Sequence, residues 1–304
     1  MRVRLVHVPA QELAPYQEGL RRLEAGIQYP IGDGADHFWI DHGPRYADFF
    51  SGLGEAHFLL ALDGEEVVGS FAAVGRFAEG AGRRVAALYG ADLKIAPAHR
   101  GGALARRFVC RGLVEVFRPS TRRRWPWRIA YVAAMRGERG DVMRSARGRF
   151  NPMRLARAAA RLAVYFARPD VLAALPDRGC PPPPAGGGLD LSPQATHGPD
   201  GTVSTAGRKD LRLESTGRAW PLVHLPRGPA AWRPTWSAYL AGAGRALAAS
   251  GATACFAIDE RLTDHVAWLA GVGVQPGATC TVYALRLPFA PRPVPWVHLA
   301  TSEI

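Results

Sequence analysis

The chain has 304 residues, 48% of them hydrophobic, and a formal net charge of +12. That is enough to bury a sizeable core in one large or two ordinary domains, and no apolar run reaches the roughly 18 residues that cross a bilayer. Its four cysteines form no CxxC pair and fit neither a zinc site nor a disulfide scaffold, and the histidines are too scattered to argue a metal.

The N-terminus has no signal-peptide h-region, so a soluble cytoplasmic protein is expected. Residues 2–8, RVRLVHV, alternate and predict a strand. Residues 10–27 predict a helix bent near Pro15. Residues 28–43, QYPIGDGADHFWIDHG, predict a loop rich in Gly, Asp and His. A short helix follows, with Pro44 at its start and Gly54 past its end. Residues 57–77 predict a hairpin that turns at Asp63-Gly64. Residues 83–97 predict a strand ended by Pro97. Residues 99–118 predict an amphipathic helix with Leu104, Phe108, Leu113 and Phe117 near one face. A strand at 127–135, a short helix at 140–150 and a basic helix at 152–168 complete the first part.

Near Pro176 the composition shifts to Pro, Gly and Ser with no apolar period, which marks 176–202 as a linker or loop. Beyond it, strands are predicted at 210–216 and 220–226, a helix at 235–250, a strand at 252–259, a helix at 261–273 and a strand at 278–287. Three regions result: 1–175, 176–202 and 203–304.

Charge is unevenly spread. Residues 99–178 carry 19 Arg against 5 acidic side chains, whereas 1–98 are net acidic. A positive field of this kind invites an anionic partner, although an Arg-rich solvated face explains it equally well. RPSTRRRWPWR (118–128) interleaves Arg with Trp and admits single-stranded nucleic acid, but no nucleic-acid-binding motif accompanies it.

The positive segment begins at DLKIAPAHRGGALA, Asp92 to Ala105. A phosphate that approaches a helix N-terminus needs free backbone N–H groups and no side chain in the way. Gly101 and Gly102 remove the side chains, Ala103 and Ala105 keep the first turn slim, and Arg100 adds a guanidinium suited to phosphate. A strand that stops at a proline leaves backbone groups for an extended amide. Coenzyme A, a pyrophosphate on a pantetheine arm, satisfies both features.

This order of elements resembles the GNAT superfamily of N-acyltransferases over about residues 1–150, and DLKIAPAHRGGALA resembles its strand, proline and Arg-x-x-Gly-x-Gly/Ala pyrophosphate loop. The tail from 235 resembles the second half of the same fold without that loop. The resemblance implies an α/β (α+β) class with a mixed, mostly antiparallel sheet flanked by helices, in two related lobes, the second degenerate. It implies transfer of an acyl group, acetyl or longer, from acyl-CoA as co-substrate to a small-molecule or peptide amine. Leu93, Lys94 and Ile95 would track the pantetheine and polarise the thioester carbonyl. Arg100, Gly101, Gly102, Ala103, Leu104, Ala105 and Arg106 would hold the pyrophosphate. Asp92, Asp41 and His42 are the candidate bases. Position 103 is Ala where the motif has Gly, and residues 140–150 lack the tyrosine that many members use to protonate the thiolate. A non-catalytic acyl-CoA sensor therefore stays open beside the enzyme. The Arg excess from 118 to 178 exceeds what one pyrophosphate needs and points to an acidic acyl carrier protein as a further partner.

Overall fold

Alternating and continuous apolar runs build one large sheet in the computed structural model, which describes residues 3–31, 36–80, 82–100, 103–135, 156–176, 178–182, 184, 187–195, 198, 201–231, 235–286 and 294–304. Strand β1 (Arg4–Pro9) leads through two 3₁₀ turns, around Pro15, into α1 (Gln17–Ala25). Residues 28–43 do not remain a loop. They carry β2 (Tyr29–Ile31) and β3 (Asp36–Asp41), which pair antiparallel. The stabilising partner is a strand about 170 residues away, β10 (Asp210–Leu213), on the other side of β3. No local pattern announces that pairing.

Helix α2 (Ala47–Leu53) ends at Gly54, as its flanking residues predict. Strands β4 (Glu55–Asp63) and β5 (Glu66–Gly80) form the expected hairpin, with Gly64 at φ 65° in the turn. Strand β6 (Arg83–Ile95) runs back along β5, and α3 (Leu104–Phe117) follows it. Only Leu104 and Phe108 of α3 are buried. Phe117, expected on that face, is 48% exposed and meets Trp127 edge-on at 5.3 Å.

Helix α4 (Pro119–Arg124) and β7 (Ile129–Met135) come next. The helix expected at 140–150 lies outside the described residues. The basic helix expected at 152–168 is instead β8 (Arg157–Ala167). Its Leu162 and Val164 enter one core while Ala163, Tyr165 and Ala167 enter another. A segment apolar on alternate sides fits the centre of a sheet, and burial on both faces overrides the helix preference of its alanines.

The remainder comprises α5 (Pro169–Ala173), β9 (Leu189–Asp190), β11 (Leu222–His224), α6 (Trp236–Leu247), β12 (Thr253–Asp259), α7 (Thr263–Gly271), β13 (Pro276–Arg286) and β14 (Val297–His298). The main sheet runs β1-β4-β5-β6-β7-β13-β8-β12-β11, with β9 and β14 attached at β5. It is mostly antiparallel; β6 with β7 and β11 with β12 are parallel. The late strand β13 lies between β7 and β8 and bonds to both, so the C-terminal third is built into the sheet that the N-terminal part begins. Within 176–202, Leu189 and Leu191 are buried. The class is α+β, with a large mixed, mostly antiparallel sheet. No helix among the described residues is long and apolar enough to cross a membrane.

One buried ion pair ties the end of the chain to the sheet. Arg76 on β5 donates to both carboxylate oxygens of Glu303, at 2.8 and 3.0 Å. The hydroxyls of Ser192 and Tyr89 donate to the same residue, Tyr89 to its carbonyl at 2.6 Å. Both charged side chains are nearly inaccessible to solvent. Replacing Glu303 by Ala strands the Arg76 guanidinium, and we expect a loss of about 3–5 kcal/mol in urea unfolding. An unchanged unfolding free energy would refute this role.

Candidate active site

Three features of β6 set the geometry. First, it pairs with β7 only from Ala87 to Gly90, opposite Ile129 to Val132. Beyond Gly90 the two strands part, and β7 continues against β13. A Cβ at Gly90 would lie 2.8 Å from the Phe71 ring and from Val132, so the crotch of the split has room only for glycine. Second, the register against β5 shifts between Ser70 and Ala72, where Asp92 and Leu93 oppose a single residue. Asp92 takes φ 54°, a left-handed conformation that Asp tolerates better than most side chains. Third, the bulge sends Asp92 and Lys94 to the α1 side of the sheet, while Leu93 and Ile95 pack on the α3 side.

On the α1 side a polar cluster is enclosed by apolar residues. Lys94 donates to Glu24 of α1 at 2.7 Å and pairs with Asp92. Tyr46 donates its hydroxyl to Asp92 and lies 3.3 Å from the Ser70 hydroxyl. Glu24 also accepts from His42, at 2.5 Å from Nδ1 and 3.2 Å from the backbone N–H. The His42 ring is packed by Tyr46, Phe49 and Phe50, with centroids about 5 Å away. Burial alone would push the Asp92 carboxyl up, but Lys94, His42 and the Tyr46 hydroxyl outweigh it and hold it at about 2. Burial would likewise lower Lys94, yet Asp92 and Glu24 raise it above its ordinary value. His42 is lowered, by burial first and by the Lys94 charge second. It is therefore neutral near pH 7. Its Nδ1–H points at Glu24, which leaves the lone pair on Nε2.

Glu24, His42 and Asp92 place ligand atoms within 4.8 Å of one another, a spacing that a cation could use. The Lys94 ammonium already neutralises two of them, so the cluster is a salt-bridge network and not an open metal cradle.

A cavity of about 1540 Å³ passes the split and touches both faces of the sheet. His42, Asp92 and Leu93 line it. Lys94 and Ile95 do not, nor do Asp41, Arg100, Ala103, Leu104, Ala105 or Arg106. Asp41 instead pairs with Arg212 of β10 at 2.6 Å and caps the Gly43 N–H. The Arg100 Nε donates to the Ile95 carbonyl at 3.0 Å, folding the side chain back over the strand end. Gly101 and Gly102 lie outside the described residues. No side chain caps the start of α3 at Ala103.

Lys209 was not signalled by any motif. Its ammonium donates to the Ile304 carbonyl and sits 4.8 Å from the Phe49 ring centroid, on the cavity wall. Burial lowers it to about 8. Glu24 and Tyr46 were also missed, because each resembles an ordinary helix residue until α1 and α2 are packed on the sheet. One clue was present: Lys94 is one of only two lysines among 38 basic residues and lies inside an apolar strand.

No protein-family model matches the chain, and no curated protein matches it in sequence. Solved structures do resemble it. N-myristoyltransferase of Saccharomyces cerevisiae, with bound myristoyl-CoA and inhibitors, is 8% identical over 99% of this chain and 83% of its own, with a TM-score of 0.52. The same enzyme with bound myristoyl-CoA gives 9% identity, 96% and 80% coverage and a TM-score of 0.50. A tandem GNAT protein from the clavulanic acid biosynthesis pathway is 12% identical over 93% of this chain and 98% of its own, with a TM-score of 0.45. The chain has the fold of this N-acyltransferase.

Replacing Lys94 by Met leaves Glu24 and Asp92 buried without a counter-charge, and should cost about 3–5 kcal/mol at neutral pH. Because Asp92 is depressed in the folded wild type, its contribution is complete above the ordinary carboxylate range and fades as pH falls towards 2. The gap between wild type and variant should narrow in acid. Urea unfolding at pH 7 and pH 3 checks both parts, and a gap that widens in acid would contradict the assignment.

Proposed function

We propose that the protein is an acyl-CoA-dependent N-acyltransferase. The observation that carries this reading is the parting of β6 from β7 after Gly90. It leaves the backbone edge from Ala91 to Leu93 beside a cavity that reaches both sheet faces, and the uncapped start of α3 follows in the chain. Pantetheine amides can pair with that edge, and the first-turn N–H groups of α3, with Gly101, Gly102 and Arg100, meet the pyrophosphate. Leu93, Lys94 and Ile95 act through their backbones, and Ala103, Leu104, Ala105 and Arg106 through the first turn.

The acceptor amine enters from the α1 side, where His42 faces the cavity. Its nitrogen attacks the thioester carbon, the new C–N bond forms and the C–S bond breaks. His42 Nε2 takes the proton released by the amine, with Glu24 holding the ring in the required tautomer. The thiolate leaves as CoA and takes a proton from solvent. Asp92, locked to Lys94 and Tyr46, is a poor proton acceptor and positions the strand; Asp41 braces β3 against β10.

In this reading the donor is an acyl-CoA, not an acylated carrier protein. The basic run that suggested an acidic carrier protein is partly neutralised within the chain: Arg124 pairs with Glu55, Arg111 and Arg118 share Glu115, and Arg122 stacks on Trp127 and donates to its carbonyl. In this reading residues 1–175 carry the donor machinery, 176–202 connect the lobes, and 203–304 form the second lobe.

Incubation with acyl-CoA and a panel of amines should release free thiol and yield the N-acyl amine by mass. CoA binding without thiol release would instead make the protein a sensor. His42→Ala should lower kcat about 10²–10⁴-fold and leave CoA affinity unchanged. With an arylamine acceptor, already neutral at mildly acidic pH, the rate should hold below the ordinary histidine range and fall only where the lowered His42 takes a proton. A rate already halved at pH 6.5 would contradict the lowering of His42.

A further inference from the structure

Helix α3 touches the sheet along one line, which includes Gly112, where a Cβ would meet the Phe71 ring at 3.6 Å and Leu59 at 4.0 Å. Near its start, Leu104 and Phe108 pack on Leu59, Ala61 and Val68. Beside that line, Leu113 and Val116 are only half-buried and line the cavity. The opposing wall is Ala73, Leu88 and Ala130, three apolar side chains on neighbouring strands. Protein interiors are close-packed, and an apolar gap that is not filled by the chain admits an apolar occupant.

The gap opens at one end on the β6–β7 split, where the thioester would lie. At its other end polar side chains line the cavity. His7 and His57 stack at 5.2 Å with 3.2 Å between ring nitrogens, and Glu115 lies with Arg111 and Arg118 on the helix side. From Gly90 the registers pass to Ala73 on β5, then to His57 on β4, with β1 beyond. From the middle of the split to His57 is two and a half strand spacings, about 12 Å, the reach of an extended acyl chain of about ten carbons.

We infer that the space between α3 and the sheet holds the acyl chain of the donor, and that the preferred donor is a medium-chain acyl-CoA rather than acetyl-CoA. The inference rests on the acyltransferase reading and adds its substrate class. The polar residues at the far end limit chain length, because a longer chain would have to bury a methyl terminus among histidines and charged groups. The acceptor half of the cavity, on the other face, stays free for the amine.

The test is calorimetric binding of CoA, acetyl-CoA, decanoyl-CoA and tetradecanoyl-CoA to wild type, Ala73→Leu and Leu113→Trp, which fill the gap from opposite walls. Wild type should bind decanoyl-CoA at least tenfold more tightly than acetyl-CoA, with no further gain at fourteen carbons. Each variant should bind CoA and acetyl-CoA like wild type and lose the decanoyl gain. A flat chain-length series in wild type, or a gain that survives in a folded variant, overturns the inference; the wild-type series decides the matter even if both variants fail to fold. Free decanoate separates the two readings. If no CoA ester binds but decanoate binds wild type and not the variants, the channel stands and the CoA-donor reading fails. If neither binds, both fail.

Discussion

A lysine ammonium buried in the middle of a sheet is costly unless carboxylates meet it. At Lys94 they come from two directions, Asp92 from its own strand and Glu24 from α1. Much of the α1 side depends on that demand. Glu24 can reach Lys94 only with α1 laid along the sheet, and its carboxylate then fixes His42 at the end of β3. Asp92 can reach it only from the bulge, and there it receives the Tyr46 hydroxyl and fastens α2. One cation thus gathers two helices, the end of a minor-sheet strand and the strand that would carry the donor.

The same bulge divides labour between the faces. Two residues of β6 oppose one of β5, so the side-chain alternation shifts at Asp92 and Leu93. Polar groups stay on the α1 side with the aromatic rings of Phe49 and Phe50, while Leu93 and Ile95 turn towards α3. Because β6 leaves β7 just before this point, the two chemically different faces communicate through the split. A face of titratable groups is thereby joined to an apolar face.

The late strand β13, between β7 and β8, keeps this arrangement from being a property of the N-terminal part alone. Arg76 and Glu303 add a second link of the same kind, a buried charge on β5 answered from the end of the chain. Lys209 and Thr301, both from the C-terminal third, line the cavity opposite His42 and Asp92. The walls of the site therefore come from both ends of the sequence.

Local pattern by itself determined the β4–β5 hairpin, the length of β6, α2 with its Gly54 stop, and the C-terminal order from α6 to β13. Each of these is encoded in side-chain period and turn residues within about twenty positions. Tertiary structure alone decided that 157–167 is a strand, since only two cores closing on Leu162 and Tyr165 from opposite sides outweigh its alanines. It decided that β3 pairs with β10, that β13 enters between β7 and β8, and that Lys94, His42 and Glu24 share one cluster. These are contacts between residues far apart in sequence, with energies set by burial and by the charge of a partner, and a partner that distant leaves no periodic trace in the segment it stabilises.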